Sequence, residues 1–210
     1  MTTTLDDTLK SLLAKRLGDH KVEQLRPGPD ARQAAVAFVV TDTEQGAPAI
    51  VLTRRPTRMG RHAGQYALPG GKVDPGETTA EAARRELSEE LGIDLSASDE
   101  LGRLDDYETR SGFVISPFVL WGGPALRMVP APDEVEKVLR IPFSELDSEA
   151  IPHFQPGVEP ERPILYSQFP TIGHSMYSPT AALVYQFREV CLRGNSTRVA
   201  HFAQPKFAWK

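Results

Sequence analysis

The chain carries one cysteine, Cys191, in 210 residues. That excludes an intrachain disulfide and any CxxC metal site. Basic residues are not in excess either. The 24 Lys and Arg face 28 Asp and Glu, a formal net charge of -4, which argues against general nucleic-acid binding, since that calls for a basic face across the domain. Long apolar runs are missing too: the longest, AAVAFVV at 34–40, is far too short to span a bilayer and reads as a buried strand. The amino terminus lacks the apolar core of a signal peptide and the closing FAWK is no familiar address, so the expectation is a cytoplasmic protein with no membrane partner. There is no internal repeat. What the chain does have, 40% hydrophobic residues, is enough for a sizeable core.

Leu5, Leu9, Leu12, Leu13 and Leu17 recur at helical spacing and predict an amphipathic helix over about 5–17 that packs on the domain. Pro27, Gly28, Pro29 and Asp30 then break the chain. Alternation around Phe113, Ile115 and Pro117 predicts a strand. Prolines between 152 and 163 predict a long loop, followed by short strands at RPILYSQFP and HSMYS. Ser178 is the expected cap of a last helix that starts at Pro179 and buries Leu183, Phe187, Val190 and Cys191. Phe202, Phe207 and Trp209 in the tail suggest docking, a homodimer being one form of it.

The chemistry concentrates in GKVDPGETTAEAARRELSEELGI at 71–93. Thr78 with Glu81 makes a capping-box pattern, and Gly92 supplies a stop, so a helix is predicted over Thr79 to Leu91 after a loop from Gly70 to Glu77. Residues three and four apart share a helical face, which puts Glu86, Glu89 and Glu90 on one patch. Two readings are open for such a patch. It is a solvated face served by Arg84 or Arg85, or its charge is neutralised by divalent cations that favour oxygen ligands.

The stretch fits G-x5-E-x7-R-E-U-x-E-E-x-G-U, with U aliphatic, at Gly71, Glu77, Arg85, Glu86, Leu87, Glu89, Glu90, Gly92 and Ile93. In this it resembles the Nudix hydrolases. The resemblance, covering about 33–146, implies an α/β/α sandwich with a mixed sheet and Mg²⁺ or Mn²⁺ held by Glu86, Glu89 and Glu90, with the Gly71 carbonyl as a further ligand. Arg85 would pair with Glu77 and orient the box, a task that suits a bidentate guanidinium fork. Glu134 is the candidate for an extra metal contact or general base, against an exposed strand-end glutamate. Glu89, Glu86, Arg85, Glu77 and Glu134 thus form the expected catalytic set.

Residues 51–71, VLTRRPTRMGRHAGQYALPGG, resemble the coenzyme A diphosphatase branch of the same family at Leu52, Thr53, Arg55, Gly64, Pro69, Gly70 and Gly71. They depart from it at Pro56, Gly60 and Leu68, and Gly60 stands where an arginine is usual. Asp105, Asp106, Thr109, Gly112 and the fragment SPTAALVYQF resemble the branch again. Arg54, Arg55, Arg58, Arg61 and His62 form either a solvated basic loop or a receiver for a polyanion. The expected substrate contacts are Arg55, Arg58, Arg61, His62 and Gly70. For His62, a phosphate contact and a buried hydrogen-bonding role both stand.

The resemblance implies metal-dependent hydrolysis of a diphosphate bond in a small-molecule nucleotide substrate. Coenzyme A or acyl-coenzyme A is the first expectation. ADP-ribose, dinucleotides and nucleoside triphosphates remain alternatives, as does a non-catalytic nucleotide sensor. The expected organisation is a helix and linker at 1–30, the Nudix domain at 31–146 and a C-terminal extension at 147–210 whose helix packs on the same domain.

Overall fold

The computed structural model describes residues 4–26, 28, 32–57, 64–159 and 161–205. At its centre is a mixed sheet. Strand β1 (Arg32–Asp42) lies antiparallel to β2 (Pro48–Arg54) and parallel to β7 (Phe113–Gly123). Short strands β3 (Tyr66–Ala67) and β4 (Gly70–Lys72) pair with β2 and β1 respectively. Strands β5 (Glu100–Arg103) and β6 (Tyr107–Glu108) pair with β7, and β8 (Lys137–Pro142) pairs with β2. A separate antiparallel sheet holds β9 (His153–Gln155), β10 (Ile164–Gln168) and β11 (Ser175–Tyr177).

Side chains alternate between the faces of a strand, and in β1 both faces are covered. Ala37 and Val39 pack with Val51 and Leu120 against helix α2 (Thr79–Leu91) through Leu87 and Leu91. Phe38, Val40, Ile50 and Leu52 point the other way, into the larger core. That core is closed by α1 (Asp7–Asp19) through Leu9, Leu13 and Leu17, by the short α3 (Phe143–Leu146) through Phe143 and Leu146, and by α4 (Thr180–Phe187) through Leu183 and Phe187. Phe187 stacks on Phe38 with ring centroids 4.8 Å apart. The apolar run at 34–40 lacks a polar face because β1 is sandwiched between helices.

Helix α1 starts two residues later than the leucine spacing predicts, because Asp6 is its cap: the Asp6 side chain accepts from the Leu9 amide at 2.9 Å. Leu12, expected on the apolar stripe, is 41% exposed. A buried polar knot ties this helix to the rest. Asp105 Oδ1 accepts from the Glu23 amide at 2.8 Å and pairs with His20 at 3.0 Å, Arg198 Nη1 reaches both Asp105 oxygens, and Gln186 Nε2 donates to Oδ2 at 2.6 Å. Burial works to raise the Asp105 carboxyl, but these hydrogen bonds outweigh it and hold the group below its usual range.

Two further expectations need correction, and a third, the docking of Phe202, is met within the chain itself. The long loop at 152–163 contains β9, which finds its partner in β10. Ser178 does not cap α4: its hydroxyl donates across to the Leu165 carbonyl at 3.2 Å, and Pro179 holds the cap position with no side-chain bond. Phe202 is buried within its own chain, where its carbonyl accepts from the Tyr107 hydroxyl at 2.7 Å and its ring stacks on Phe154. It is therefore not free for a second copy. Phe207 and Trp209 lie outside the described residues. Among the described residues, no helix is long and apolar enough to cross a membrane.

Candidate functional site

Helix α2 has the predicted bounds. The Thr78 side chain accepts from the Glu81 amide, Glu81 answers to the Thr78 amide at 2.7 Å, and Gly92 closes the helix at φ 61°. The preceding segment is not all loop. Gly70–Lys72 pairs with β1 in the register Val36↔Gly70, Ala35↔Gly71 and Ala34↔Lys72. This register sets two glycines against α2. The Gly70 amide donates to Glu90 Oε2 at 3.2 Å, and a Cβ on Gly71 would lie 2.2 Å from Glu86 Oε1. Only a residue without a side chain leaves room for that carboxylate.

A third carboxylate arrives from far along the chain. Val129 N donates to Leu91 O at 2.7 Å and Ala131 N to Glu90 O at 2.9 Å, fastening the segment to the C-terminal end of α2. Glu134 follows in a turn closed on Ala131. Glu86, Glu90 and Glu134 thereby offer oxygen atoms that all lie within 4.8 Å of one another. Glu86 is half-buried, Glu90 buried and Glu134 exposed.

Arg85 binds the margin of this group. Its Nε and Nη2 grip Glu77 at 3.1 and 2.8 Å, its Nη1 reaches Glu86 at 3.1 Å and Glu89 at 2.9 Å, and Nη2 also donates to the Lys72 carbonyl at 2.9 Å. The Arg85 bond, with the Asp74 amide, holds the Glu77 carboxyl below its usual range. Glu89 stands apart from the cluster, with a side chain 54% exposed and turned to Arg85. Arg84 serves Glu100 at 3.4 Å instead.

The electrostatics expose an imbalance. Burial, then the neighbouring Glu86 and Glu134 charges, push the Glu90 carboxyl up to about 7 against the opposing pull of the Gly70 amide and Arg55. Burial also raises Glu86, with Glu89 and Glu134 adding to the effect and Arg85 opposing it. Crowded carboxylates short of positive charge are the environment a hard divalent cation relieves, and an all-oxygen donor set suits Mg²⁺ or Mn²⁺. The residues present fit such an ion.

Beside the cluster opens a cavity of about 760 Å³. Its floor is one face of the sheet: Arg32, Ala34 and Val36 of β1, two residues apart, and Phe113 and Ile115 of β7. Arg54, Arg55 and Tyr66 form one end, and Gly70 and Gly71 are shared with the carboxylates. The roof comes from His174, Met176, Tyr177 and Leu183 of the C-terminal segment. Alternation in β1 and β7 is visible in the sequence and marks which residues share the floor. No sequence signal shows that residues 174–183 fold back over it.

Of the expected substrate contacts, Arg55 and Gly70 line this cavity. Arg58, Arg61 and His62 lie outside the described residues, as does Gly60. Asp105 and Asp106 are buried and structural in their contacts: Asp106 accepts from the Leu25 amide at 2.9 Å and the Ser116 hydroxyl at 2.7 Å, and pairs with Arg103. Thr109 lines the cavity and also closes a turn on Phe113.

Comparison with known proteins places this geometry. The NUDIX domain model matches residues 31–162. Nudix hydrolase 3 of Caenorhabditis elegans is 34% identical over 125 residues, covering 58% of this chain and 52% of that protein. A protein of Citrobacter koseri named as uncharacterized Nudix hydrolase NudL is 37% identical over 115 residues, covering 54% of this chain and 59% of its own length. The matches thus span between half and two thirds of these curated relatives. A MutT/nudix family protein from Enterococcus faecalis superposes with a TM-score of 0.54 at 14% identity, over 79% of this chain and 64% of that one, a likeness in fold.

Proposed function

The chain belongs to the NUDIX domain family, and from that membership we propose that it is a divalent-metal-dependent hydrolase of a diphosphate bond in a nucleoside diphosphate derivative. The observation that carries this reading is the convergence of Glu86, Glu90 and Glu134 within 4.8 Å, at the edge of a large cavity. Glu86 and Glu90 would hold the ion together with Glu134 or the Gly71 carbonyl, and Glu89 would join once released by Arg85. When bound, the cation polarises a phosphoryl oxygen and lowers the pKa of a water.

The chain's own groups do the rest. Arg85 acts as a positioning residue, fixing Glu86 through one nitrogen while its other two hold Glu77. Arg55 lines the cavity and its charge is felt at Glu90; in this reading it would bind a diphosphate oxygen. Glu134, the exposed member, would either complete the ligand set or accept a proton from the attacking water. Water adds to one phosphorus, the bridging oxygen leaves with the other phosphate, and the proton passes to the base.

Coenzyme A or acyl-coenzyme A is the substrate we favour, giving 3′,5′-ADP and a 4′-phosphopantetheine. Support comes from the sequence pattern at 51–71 and from a cavity that extends beyond Gly70 and Gly71 over Ala34, Val36, Phe113 and Ile115 and under Met176 and Leu183, room for more than a diphosphate. We read the described residues of the C-terminal extension, 147–159 and 161–205, as part of the same unit, since α4 packs on the central sheet and residues 174–183 roof the cavity. The test is hydrolysis of coenzyme A, acetyl-coenzyme A, ADP-ribose, NADH and nucleoside triphosphates with Mg²⁺ and with Mn²⁺. Turnover of coenzyme A is expected to exceed the rest. Cleavage of none of them with metal present would overturn the enzymatic reading in favour of a nucleotide sensor.

A further inference from the structure

Arg32 stands on the floor of the cavity that Arg54 and Arg55 also line. Its guanidinium carbon lies 4.2 Å from the centre of the Phe113 ring, and Nη2 donates to the Ser111 carbonyl. Both partners are uncharged: they fix the guanidinium in place and leave its charge intact. Among the described residues, no carboxylate lies within ion-pair distance of it. The residue is exposed, and its backbone is pinned by β1–β7 pairing with Phe113 and by its amide bond to Gly112 O at 3.0 Å.

Position along the strand gives this charge a meaning. Gly71, beside the carboxylates, is paired with Ala35. Arg32 is three residues back, which at about 3.3 Å per residue places it roughly 10 Å along the floor. Ala34 and Val36 share its face and present small or apolar side chains between, with Lys72 of β4 paired beside Ala34. A nucleotide with its diphosphate at Gly70 and Gly71 and its sugar running along the floor toward Ala34 would bring a further phosphate on that sugar toward Arg32.

We propose that Arg32, braced on Phe113, binds a second phosphate carried on the ribose of the substrate, separate from the diphosphate that is cleaved. This rests on the reading of the site as a nucleoside diphosphate hydrolase. It makes Arg32 a specificity residue: it distinguishes ribose-phosphorylated substrates from their dephosphorylated forms and takes no part in bond cleavage.

The experiment compares pairs that differ by that phosphate alone. For turnover these are coenzyme A and dephospho-coenzyme A with Mn²⁺; for binding, adenosine 3′,5′-bisphosphate and AMP by calorimetry. The wild-type protein should favour the phosphorylated member of each pair by roughly tenfold or more, the worth of a charge-assisted pair. Arg32→Gln should remove the preference by raising KM for coenzyme A, with kcat and all constants for dephospho-coenzyme A unchanged, and Arg32→Lys should restore part of it. Equal loss on both members, or an unchanged preference in Arg32→Gln, overturns the proposal. If neither coenzyme is hydrolysed, the enzymatic reading fails on its own, and the binding pair still decides the role of Arg32: equal affinity for bisphosphate and AMP in the wild-type protein overturns it.

Discussion

Replacing Gly71 by alanine separates the metal site from the fold more cleanly than changing a carboxylate, because it leaves every charged group in the chain. The new Cβ would sit 2.2 Å from Glu86 Oε1 and 2.5 Å from its Cδ. Carbon and oxygen settle near 3.5 Å, so the carboxylate has to retreat by about 1.3 Å. Metal–ligand distances tolerate only about 0.2 Å, and a misplacement of about 1 Å in a catalytic constellation is worth on the order of a hundredfold in rate, or roughly 2.7 kcal/mol on the barrier. The stability cost is small by contrast. What the Cβ meets is the end of a flexible side chain, and alanine in place of glycine lowers the entropy of the unfolded chain by the equivalent of about 0.4–1 kcal/mol where the backbone accepts it. Gly70 is the internal control: there a Cβ would strike the Ala35 carbonyl at 2.2 Å and the Val36 Cα at 2.7 Å, at φ +148°, so Gly70→Ala should break β4 from β1 and lose the fold. Thermal melts followed by circular dichroism, with Mn²⁺ binding read by paramagnetic resonance of the free ion, need no knowledge of the substrate. The expectation for Gly71→Ala is a near-parental melting curve with metal affinity and turnover both reduced about a hundredfold. Parental Mn²⁺ affinity in a folded Gly71→Ala protein would refute the placement of Glu86 as a ligand.

Two further outcomes follow from the same geometry. Arg85→Lys keeps a positive charge but loses the fork that spans Glu77, Glu86 and Glu89; with charged hydrogen bonds worth about 1.5–3 kcal/mol, the half-saturating Mn²⁺ concentration should rise roughly tenfold or more in a protein that still melts cooperatively, and unchanged metal dependence would count against a positioning role. Asp105 has a folded-state pKa below its unfolded value, so its contribution is present above about 3.9 and is lost as pH falls through the lower folded value. Urea melts should therefore show Asp105→Asn weaker than the parent at neutral pH, with the gap narrowing in acid, and a gap that stays constant with pH would show that packing rather than charge is at stake.

What the sequence reveals of this molecule follows the range over which each feature is decided. The bounds of α2 are legible to the residue because Thr78, Glu81 and Gly92 act within one turn of their own positions. The strand character of Gly70–Lys72 is not, since it depends on pairing with β1 some 35 residues earlier. Ser178 reads locally as a helix cap and is diverted by the Leu165 carbonyl, a partner in another strand. Arg85 with Glu77 is legible from the spacing of the box, whereas the position of Glu134 beside Glu90 hangs on backbone bonds at Val129 and Ala131 that no side-chain pattern announces. The cavity roof is the extreme case. Residues 174–183 overlap the SPTAALVYQF fragment, but nothing in that pattern points to the floor of the sheet, and packing of α4 on Phe38 and its neighbours brings them there.

The register of β4 on β1 is the point at which these separate pieces become one site. Strand side chains alternate, so a slip of one residue would turn every side chain of β4 to the opposite face. With Gly71 opposite Ala35, the gap under Glu86 stays open and Lys72 is directed to the cavity. Slipped by one residue, the strand would bring Lys72 or Gly70 to that gap. An ammonium from Lys72 would neutralise the carboxylates that a cation is needed to balance, and Gly70 would lose the amide bond by which it steadies Glu90. The glycine pair therefore does more than admit close approach. It fixes which face of a three-residue strand meets the acid cluster, and the Lys72 carbonyl, held by Arg85 at 2.9 Å, locks that choice from the other side. The same guanidinium that orients Glu86 thus also clamps the strand that makes room for it.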